Sequence, residues 1–95
     1  SIAINGNKSK KEEIKIDNSK KITSPIIGTA YLAPEPGGQK FIEVGQKIKK
    51  GDTVMIVEAM KTMNHVPSPV DGLVKEISVD DGQPVEFGQT IVILN

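Results

Sequence analysis

Short runs of apolar residues, interrupted by glycine and proline, make up the chain from about Ile22 to its last residue. Short runs that end at turn-forming residues are typical of β-strands. The apolar residues do not recur at the spacing of a helical stripe or of heptads. The pattern therefore predicts an all-β fold, either a sandwich or a flattened barrel of many short strands.

The first part of the chain has a different pattern. Residues 1–20 contain many lysine and acidic side chains, and their few apolar residues have no period that would bury one face. This composition predicts a flexible tail or linker over residues 1–20 and a folded domain over residues 21–95. A brief strand at a sheet edge is the alternative for Ile14 and Ile16.

Composition narrows the classes of function. The 95 residues suffice for one small domain. The 12 basic residues are all lysine and balance 12 acidic residues, so neither nucleic acid nor a membrane is expected as a partner. No apolar run approaches the length of a membrane span. Because cysteine is absent, disulfides and thiol chemistry are excluded, which is compatible with a cytoplasmic location.

The folded part contains an internal repeat, in which short motifs recur in the same order. The matched pairs are Ser24-Pro25 with Ser68-Pro69, Gly28 with Gly72, and Gly45-Gln46 with Gly82-Gln83. Two glycine-rich β segments could look alike through composition alone, but the shared order favours duplication. We therefore expect two similar β units that pack as a pseudo-symmetric pair.

The two repeats differ in length at one place. Gly28 and Gly45 are 17 positions apart, whereas Gly72 and Gly82 are 10 apart, so the first repeat is longer by seven residues. Alignment of both flanks places the extra residues at 33–39. Two prolines and two glycines within them exclude the interior of a strand and predict a protruding loop.

The most informative segment is Glu58-Ala59-Met60-Lys61-Thr62-Met63. Apolar residues 54–57 precede it, and a second extended stretch, residues 64–67, follows it. This order predicts two strands joined by a very short turn, with Lys61 at the exposed tip. Because the flanking strands carry the stability, such a tip tolerates chemical modification.

The run Glu58-Ala59-Met60-Lys61 resembles the attachment motif of biotinyl domains, in which the lysine amine is joined to biotin through an amide bond. Two further segments, residues 41–47 and 82–87, resemble the biotin carboxyl carrier protein of bacterial acetyl-CoA carboxylase. Thr62 stands where that family commonly has Met or Leu. The resemblance covers residues 20–95 and implies two four-stranded antiparallel sheets with pseudo-twofold symmetry.

The resemblance also implies roles for individual residues. Lys61 would carry covalent biotin, and the flanking motif residues would be Glu58, Ala59, Met60 and Met63. The insertion would be the thumb, a loop that leans toward the biotin in acetyl-CoA carboxylase carriers. Its characteristic residues here would be Pro34, Glu35 and Pro36.

The function implied by the resemblance is that of a carrier without catalytic activity of its own. Biotin on Lys61 would move a carboxyl group from a biotin carboxylase site to a carboxyltransferase site, for malonyl-CoA formation in cytoplasmic fatty acid synthesis. The expected partners are those two subunits and the biotin protein ligase.

Two alternative functions remain open. One is the biotinyl domain of another biotin-dependent carboxylase or decarboxylase, against which the insertion argues. The other is a lipoyl-type carrier or an unmodified interaction module. Lipoyl domains typically have Asp-Lys-Ala at the tip, which Met60-Lys61-Thr62 does not match.

No second constellation of chemically active side chains stands out in the sequence. His65 is the single histidine and has no cysteine or second histidine to join it in a metal site, so a simple strand or surface role is expected. Aspartates beside glycines predict turn roles rather than a catalytic carboxylate pair. They are Asp52, Asp71, Asp80 and Asp81.

Overall fold

The computed structural model describes residues 20–95, which form eight β-strands and no helix. The strands are β1 (Lys20–Thr23), β2 (Gly28–Tyr31), β3 (Lys47–Ile48), β4 (Thr53–Ala59), β5 (Thr62–Pro67), β6 (Gly72–Ile77), β7 (Gln83–Val85) and β8 (Thr90–Leu94). The predicted tail lies outside the described residues except for Lys20, which begins β1. That tail stays a prediction, as does the alternative strand at Ile14 and Ile16.

The strands form two four-stranded sheets, with the orders β1-β8-β6-β3 and β5-β4-β2-β7. Every strand pair within them is antiparallel. The predicted all-β sandwich of two four-stranded antiparallel sheets is therefore confirmed.

The duplication predicted from the sequence is confirmed by the topology. Exchanging β1 with β5, β2 with β6, β3 with β7 and β4 with β8 converts one sheet order into the other. Hydrogen bonds repeat in the same way: the Ser24 N–H donates to the Gln89 carbonyl at 2.9 Å, and the Ser68 N–H donates to the Asp52 carbonyl at 2.8 Å. The two halves are thus related by a pseudo-twofold operation that exchanges the sheets.

Aliphatic side chains and one methionine fill the buried core that the described residues form. Its members are Ile22, Ala30, Leu32, Ile42, Ile48, Val54, Met55, Val57, Val66, Val74, Val79, Val85, Ile91, Val92 and Leu94. Branched side chains suit the pleated surfaces of packed sheets, and each one fully buried contributes about 1.5–3 kcal/mol. The two buried serines donate their hydroxyls to nearby carbonyls, Ser24 to Ile26 at 2.6 Å and Ser68 to Val70 at 2.5 Å.

The insertion lies between β2 and β3, where the repeat comparison placed it. Its base is closed by the Phe41 N–H, which donates to the Leu32 carbonyl at 3.0 Å. At its far end the Gly38 N–H donates to the Glu35 carbonyl at 2.9 Å, with Pro36 second and Gly37 third in the turn. Gly37 has φ +73°, so this is a type II turn, in which proline and glycine supply the two dihedral angles required. The predicted protruding loop is confirmed, and it has a defined turn at its end.

The predicted turn role is seen for Asp52, whereas Asp71 joins two loops that are 21 positions apart in the chain. Asp52 accepts a hydrogen bond from the Lys49 N–H at 2.9 Å, and Asp71 accepts one from the Lys50 N–H at 2.7 Å. Within residues 20–95, no group of three His, Asp or Glu side chains is placed to hold a metal ion. The same residues include no helix long and apolar enough to cross a membrane.

Candidate functional site

Strands β4 and β5 form a hairpin with Lys61 in its connecting turn. Ala59 is paired with Thr62, so that only Met60 and Lys61 lie outside the ladder. The structure therefore places Lys61 at the hairpin tip, as the sequence pattern predicted.

The backbone of this turn has an unusual conformation for residues with side chains. The φ angle is +52° at Met60 and +67° at Lys61. Positive φ at both central residues is the signature of a type I′ turn, whose twist matches that of the flanking strands. Glycine or asparagine is usual there, and other L-residues lose about 1–2 kcal/mol each. The tip thus keeps two strained residues at the positions that present the lysine.

The hairpin combines an exposed tip with a buried stem. Met60 is 97% exposed, and Lys61 is exposed beside it. In the stem, residues 54–57 of β4 are all buried. The lysine therefore projects from a turn whose stem is fixed by core packing, so its side chain is exposed while the backbone beneath it is held.

Two residues that sequence reasoning missed support the tip. The Asn64 side-chain amide donates to the Val57 carbonyl at 3.3 Å and to the Thr62 carbonyl at 3.1 Å, linking the two strands below the turn. Gly28 faces β4, and a Cβ there would overlap the carbonyl oxygen of Glu58. The match of Gly28 with Gly72 in the repeat indicated that this position requires glycine, whereas nothing in the sequence singled out Asn64.

A cleft of about 260 Å³ separates the insertion loop from the hairpin. It is lined by Tyr31, Ala33, Pro34, Glu35, Pro36, Glu58, Met63 and Asp81. The fold thus brings the three residues predicted for the thumb together with two of the predicted motif flanks, Glu58 and Met63. Ala59 and Met60 belong to the same hairpin but do not line the cleft.

Two of the cleft residues were not expected from the sequence. Tyr31 is half-buried at the end of β2. Asp81 accepts a hydrogen bond from the Leu32 N–H at 2.8 Å, so that it fixes the base of the loop from 49 positions away in the chain. Its proximity to glycine indicated only a turn, because the sequence does not reveal which backbone group the fold brings to it.

His65 lies on the surface of β5, in agreement with the strand or surface role expected for it. Its side chain is exposed, and its ring lies edge-to-face with Phe41, with centroids 6.0 Å apart and planes at 69°. This contact joins β5 to the segment that follows the loop, so packing accounts for the residue.

The chain was compared with known protein families and with individual proteins. The family model described as "Biotin-requiring enzyme" matches residues 20–94. The chain is 50% identical over 74 residues to the biotin carboxyl carrier protein of acetyl-CoA carboxylase from Pseudomonas aeruginosa, and 49% identical over 71 residues to that of Streptococcus pyogenes. These matches cover 78% and 75% of the chain but 47% and 43% of the relatives, so the chain spans about half their length.

A solved structure gives the same picture of the fold. The crystal structure of the Kluyveromyces lactis urea carboxylase matches with a TM-score of 0.70 and 29% identity. The match covers 90% of this chain and 7% of that protein, so the shared part is one small portion of a much larger chain.

Proposed function

The chain belongs to the family of biotin-requiring enzymes, and we propose that it is the biotin-carrying domain of an acetyl-CoA carboxylase, with biotin joined to Lys61. The observation that carries the proposal is the position of Lys61 in the strained two-residue turn of an exposed hairpin. The relatives that are half identical to it are named as biotin carboxyl carrier proteins of acetyl-CoA carboxylase, which supports the choice of enzyme.

In biotin attachment, the hairpin would present the Lys61 amine to the biotin protein ligase. A lysine ammonium must lose a proton before its nitrogen can attack an activated carboxyl group, and the biotin protein ligase would supply that step. Lys61 is exposed in the turn, and Met60 beside it has no charge. Strands β4 and β5 then position Lys61 without any rearrangement of the core.

The cleft beside the hairpin fits a biotin ring by its chemistry. Apolar surface from Pro34, Pro36 and Met63 suits the hydrocarbon and sulfur part of the ring system. Carboxylates of Glu58 and Asp81 can accept hydrogen bonds from ureido N–H groups. When bound, biotin supplies the ureido nitrogen that carries a carboxyl group, and the protein supplies position. The insertion loop would act here as the thumb, limiting the motion of the ring between its two destinations.

Catalysis itself would lie with partner subunits in the cytoplasm. A biotin carboxylase subunit would load the carboxyl group, and a carboxyltransferase subunit would pass it to acetyl-CoA to form malonyl-CoA for fatty acid synthesis. Because biotin would be tethered to Lys61 and the domain would visit the two sites in turn, the effective concentration of biotin at both sites would be raised. The chain would therefore be a carrier component rather than an enzyme by itself.

Reconstitution of the carboxylase tests the choice of enzyme. The chain, shown by mass spectrometry to carry biotin, is mixed with the biotin carboxylase and carboxyltransferase subunits of a bacterial acetyl-CoA carboxylase, ATP, labelled bicarbonate and acetyl-CoA. Labelled malonyl-CoA should form with this chain and not with the Lys61→Arg chain. A biotin-bearing chain that supports no transfer to acetyl-CoA would overturn the acetyl-CoA carboxylase assignment and leave the carrier role standing.

A further inference from the structure

Besides Met63, which lines the cleft, the end of the domain that presents Lys61 exposes three large apolar side chains. Ile27 is 62% exposed, Phe87 is 76% exposed, and Met60 in the turn is 97% exposed. Exposed apolar side chains that lie together mark interaction sites more often than scattered ones do. We call these three residues the tip-end patch.

The register of the sheet shows that these residues share one end. Thr29 of β2 is paired with Glu58 of β4, and Ile27 precedes β2 by one position, so it lies level with the hairpin turn. On the other side of β2, Gly28 is paired with Val85, the last residue of β7, and Phe87 follows in the next loop.

Hydrogen bonds fix the Phe87 loop against the Ile27 loop. The Gly88 N–H donates to the Ser24 carbonyl at 2.8 Å, and the Ser24 N–H donates to the Gln89 carbonyl at 2.9 Å. The tip-end patch therefore runs across neighbouring strand ends of one sheet, on a backbone that is held in place.

The internal repeat shows that the fold does not require apolar residues there. The pseudo-twofold operation places Asp71 at the equivalent of Ile27 and Lys50 at the equivalent of Phe87. The same two loops are joined by the same hydrogen bonds, from the Gly51 N–H to the Ser68 carbonyl at 2.8 Å and from the Ser68 N–H to the Asp52 carbonyl at 2.8 Å. Both Asp71 and Lys50 are exposed. At the end of the domain that lacks the Lys61 turn, these two positions thus hold polar side chains. At the end that has the Lys61 turn, they hold apolar ones.

From this contrast we propose that Ile27, Met60 and Phe87 form the docking surface for the biotin protein ligase, an inference that rests on the proposed function. The ligase must bring the Lys61 nitrogen itself into its active site, so the surface that immediately surrounds the hairpin turn has to contact the enzyme. The carboxylase sites are reached from farther away, by the full length of the lysine side chain with biotin at its end. Contacts beside the turn therefore suit the ligase.

The repeat supplies variants that the fold already accommodates. Ile27→Asp and Phe87→Lys, made singly and together, copy the side chains of the polar end. Initial rates of biotin attachment are measured with the full chain, a bacterial biotin protein ligase, biotin and ATP, over a range of chain concentrations. The double variant should raise KM for the chain about tenfold with kcat nearly unchanged, because Lys61 and its motif are intact. Its thermal midpoint should remain close to that of the parent.

A matched control removes an exposed apolar side chain from the other sheet. Leu73 lies on β6, is 38% exposed, and its N–H donates to the carbonyl of Asn95 at 3.2 Å. Its repeat equivalent is Thr29, so Leu73→Thr is the corresponding substitution, and KM should not change.

The possible outcomes separate the two proposals. If the parent chain receives no biotin, the proposed function fails. If the parent is modified and the folded double variant keeps the parental KM, the docking surface is wrong and the carrier function stands. The docking proposal is also overturned if a biotin-bearing variant loses affinity only for the carboxylase subunits, or if ultracentrifugation shows that the patch instead joins two copies of the chain.

Discussion

Single residues around the hairpin turn decide how Lys61 is presented, and the plainest case is Gly28. It has no side chain because β4 passes where its Cβ would be, next to the Glu58 carbonyl. The repeat gives an internal comparison, since Gly72 occupies the equivalent position. A Cβ at Gly72 would lie 3.1 Å from the Leu94 side chain and 3.3 Å from the Asn95 carbonyl oxygen. A Cβ at Gly28 would instead lie well inside van der Waals contact with the Glu58 carbonyl oxygen. The overlap is thus severe at Gly28 and slight at Gly72, so the two glycines differ in what they tolerate.

We expect Gly28→Ala to lower the free energy of unfolding by about 1–3 kcal/mol, the usual result of forcing atoms into a packed site. Gly72→Ala should cost less, because its nearest contacts, at 3.1–3.3 Å, need to move by only a few tenths of an ångström. Urea denaturation of the two variants measures the difference. Equal losses, or a larger loss for Gly72→Ala, would contradict the contact with β4 as the reason for Gly28.

The sequence predicted some of these residues and not others for a physical reason. Lys61 was found because its flanking residues form a local motif on consecutive positions. Asn64 acts through hydrogen bonds to carbonyls of Val57 and Thr62, and one of those groups belongs to a different strand. Tyr31 and Asp81 reach the cleft from distant parts of the chain. Such roles depend on which groups the fold places side by side, and residue type alone does not give them.

In the hairpin, the residues needed for the proposed attachment of biotin are not the residues that the turn conformation favours. A type I′ turn favours asparagine and glycine, yet Met60 and Lys61 occupy both central positions. Apolar runs before and after the motif were enough to predict the strands. The type of turn could not be predicted from Met60-Lys61, because these residues are not typical of it.

Replacement of Met60 by asparagine should stabilise the domain. Asparagine tolerates positive φ, and Met60 loses little buried area because it is 97% exposed, so we expect a gain of about 0.5–1 kcal/mol in the free energy of unfolding. Met63→Asn is the control, since Met63 lies in β5 and asparagine is disfavoured in strands. A Met60→Asn domain less stable than its parent in urea would show that the turn carries no such strain.

The insertion loop is the second element with a testable role. Its removal at residues 33–39 leaves Lys40 to connect Leu32 with Phe41, whose backbone groups already meet at 3.0 Å. We expect the thermal midpoint and the rate of biotin attachment to stay near parental values, since the second repeat makes this connection without the insertion. Carboxyl transfer should slow several-fold, because the bound ring would sample more positions.

NMR relaxation of the biotin ring and turnover of the reconstituted carboxylase test this prediction. A variant with Pro34→Ala and Pro36→Ala keeps the loop length while removing the two fixed φ angles, and it should give an intermediate effect. If ring mobility and turnover both match the parent after deletion, the loop has no function as a thumb.

At the scale of the whole molecule, the duplicated β unit explains both the fold and its asymmetry. The repeat read from glycine spacing was confirmed because matched residues occupy equivalent positions: Gly28 and Gly72 begin β2 and β6, and Gly45 and Gly82 both have positive φ. The exchange of strands between the two sheets could not be read from that spacing, since pairing partners lie far apart in the chain. Three differences between the halves are the insertion loop, the Lys61 turn and the tip-end patch. The first two belong to the proposed function, and the third to the docking surface inferred from it.

The described core residues lie between Ile22 and Leu94. We therefore expect deletion of residues 1–18 to leave the thermal midpoint within about 2 °C of the parent, below the 4–8 °C that a loss of 1 kcal/mol causes in a small domain. Biotin attachment should also be retained. Circular dichroism melting and a ligase assay on the shortened chain check both, and a clear fall in the midpoint would show that the tail contributes to folding.

Mapping the modification shows whether this chain carries biotin, and whether it does so on Lys61. The chain is incubated with biotin protein ligase, biotin and ATP, and then analysed by intact mass and by tandem mass spectrometry of its peptides. We expect one added biotinyl group, located on Lys61 and on none of the other lysines. The Lys61→Arg chain should receive none and should melt at the parental temperature. An unmodified parent, or avidin binding retained by the Lys61→Arg chain, would contradict this expectation.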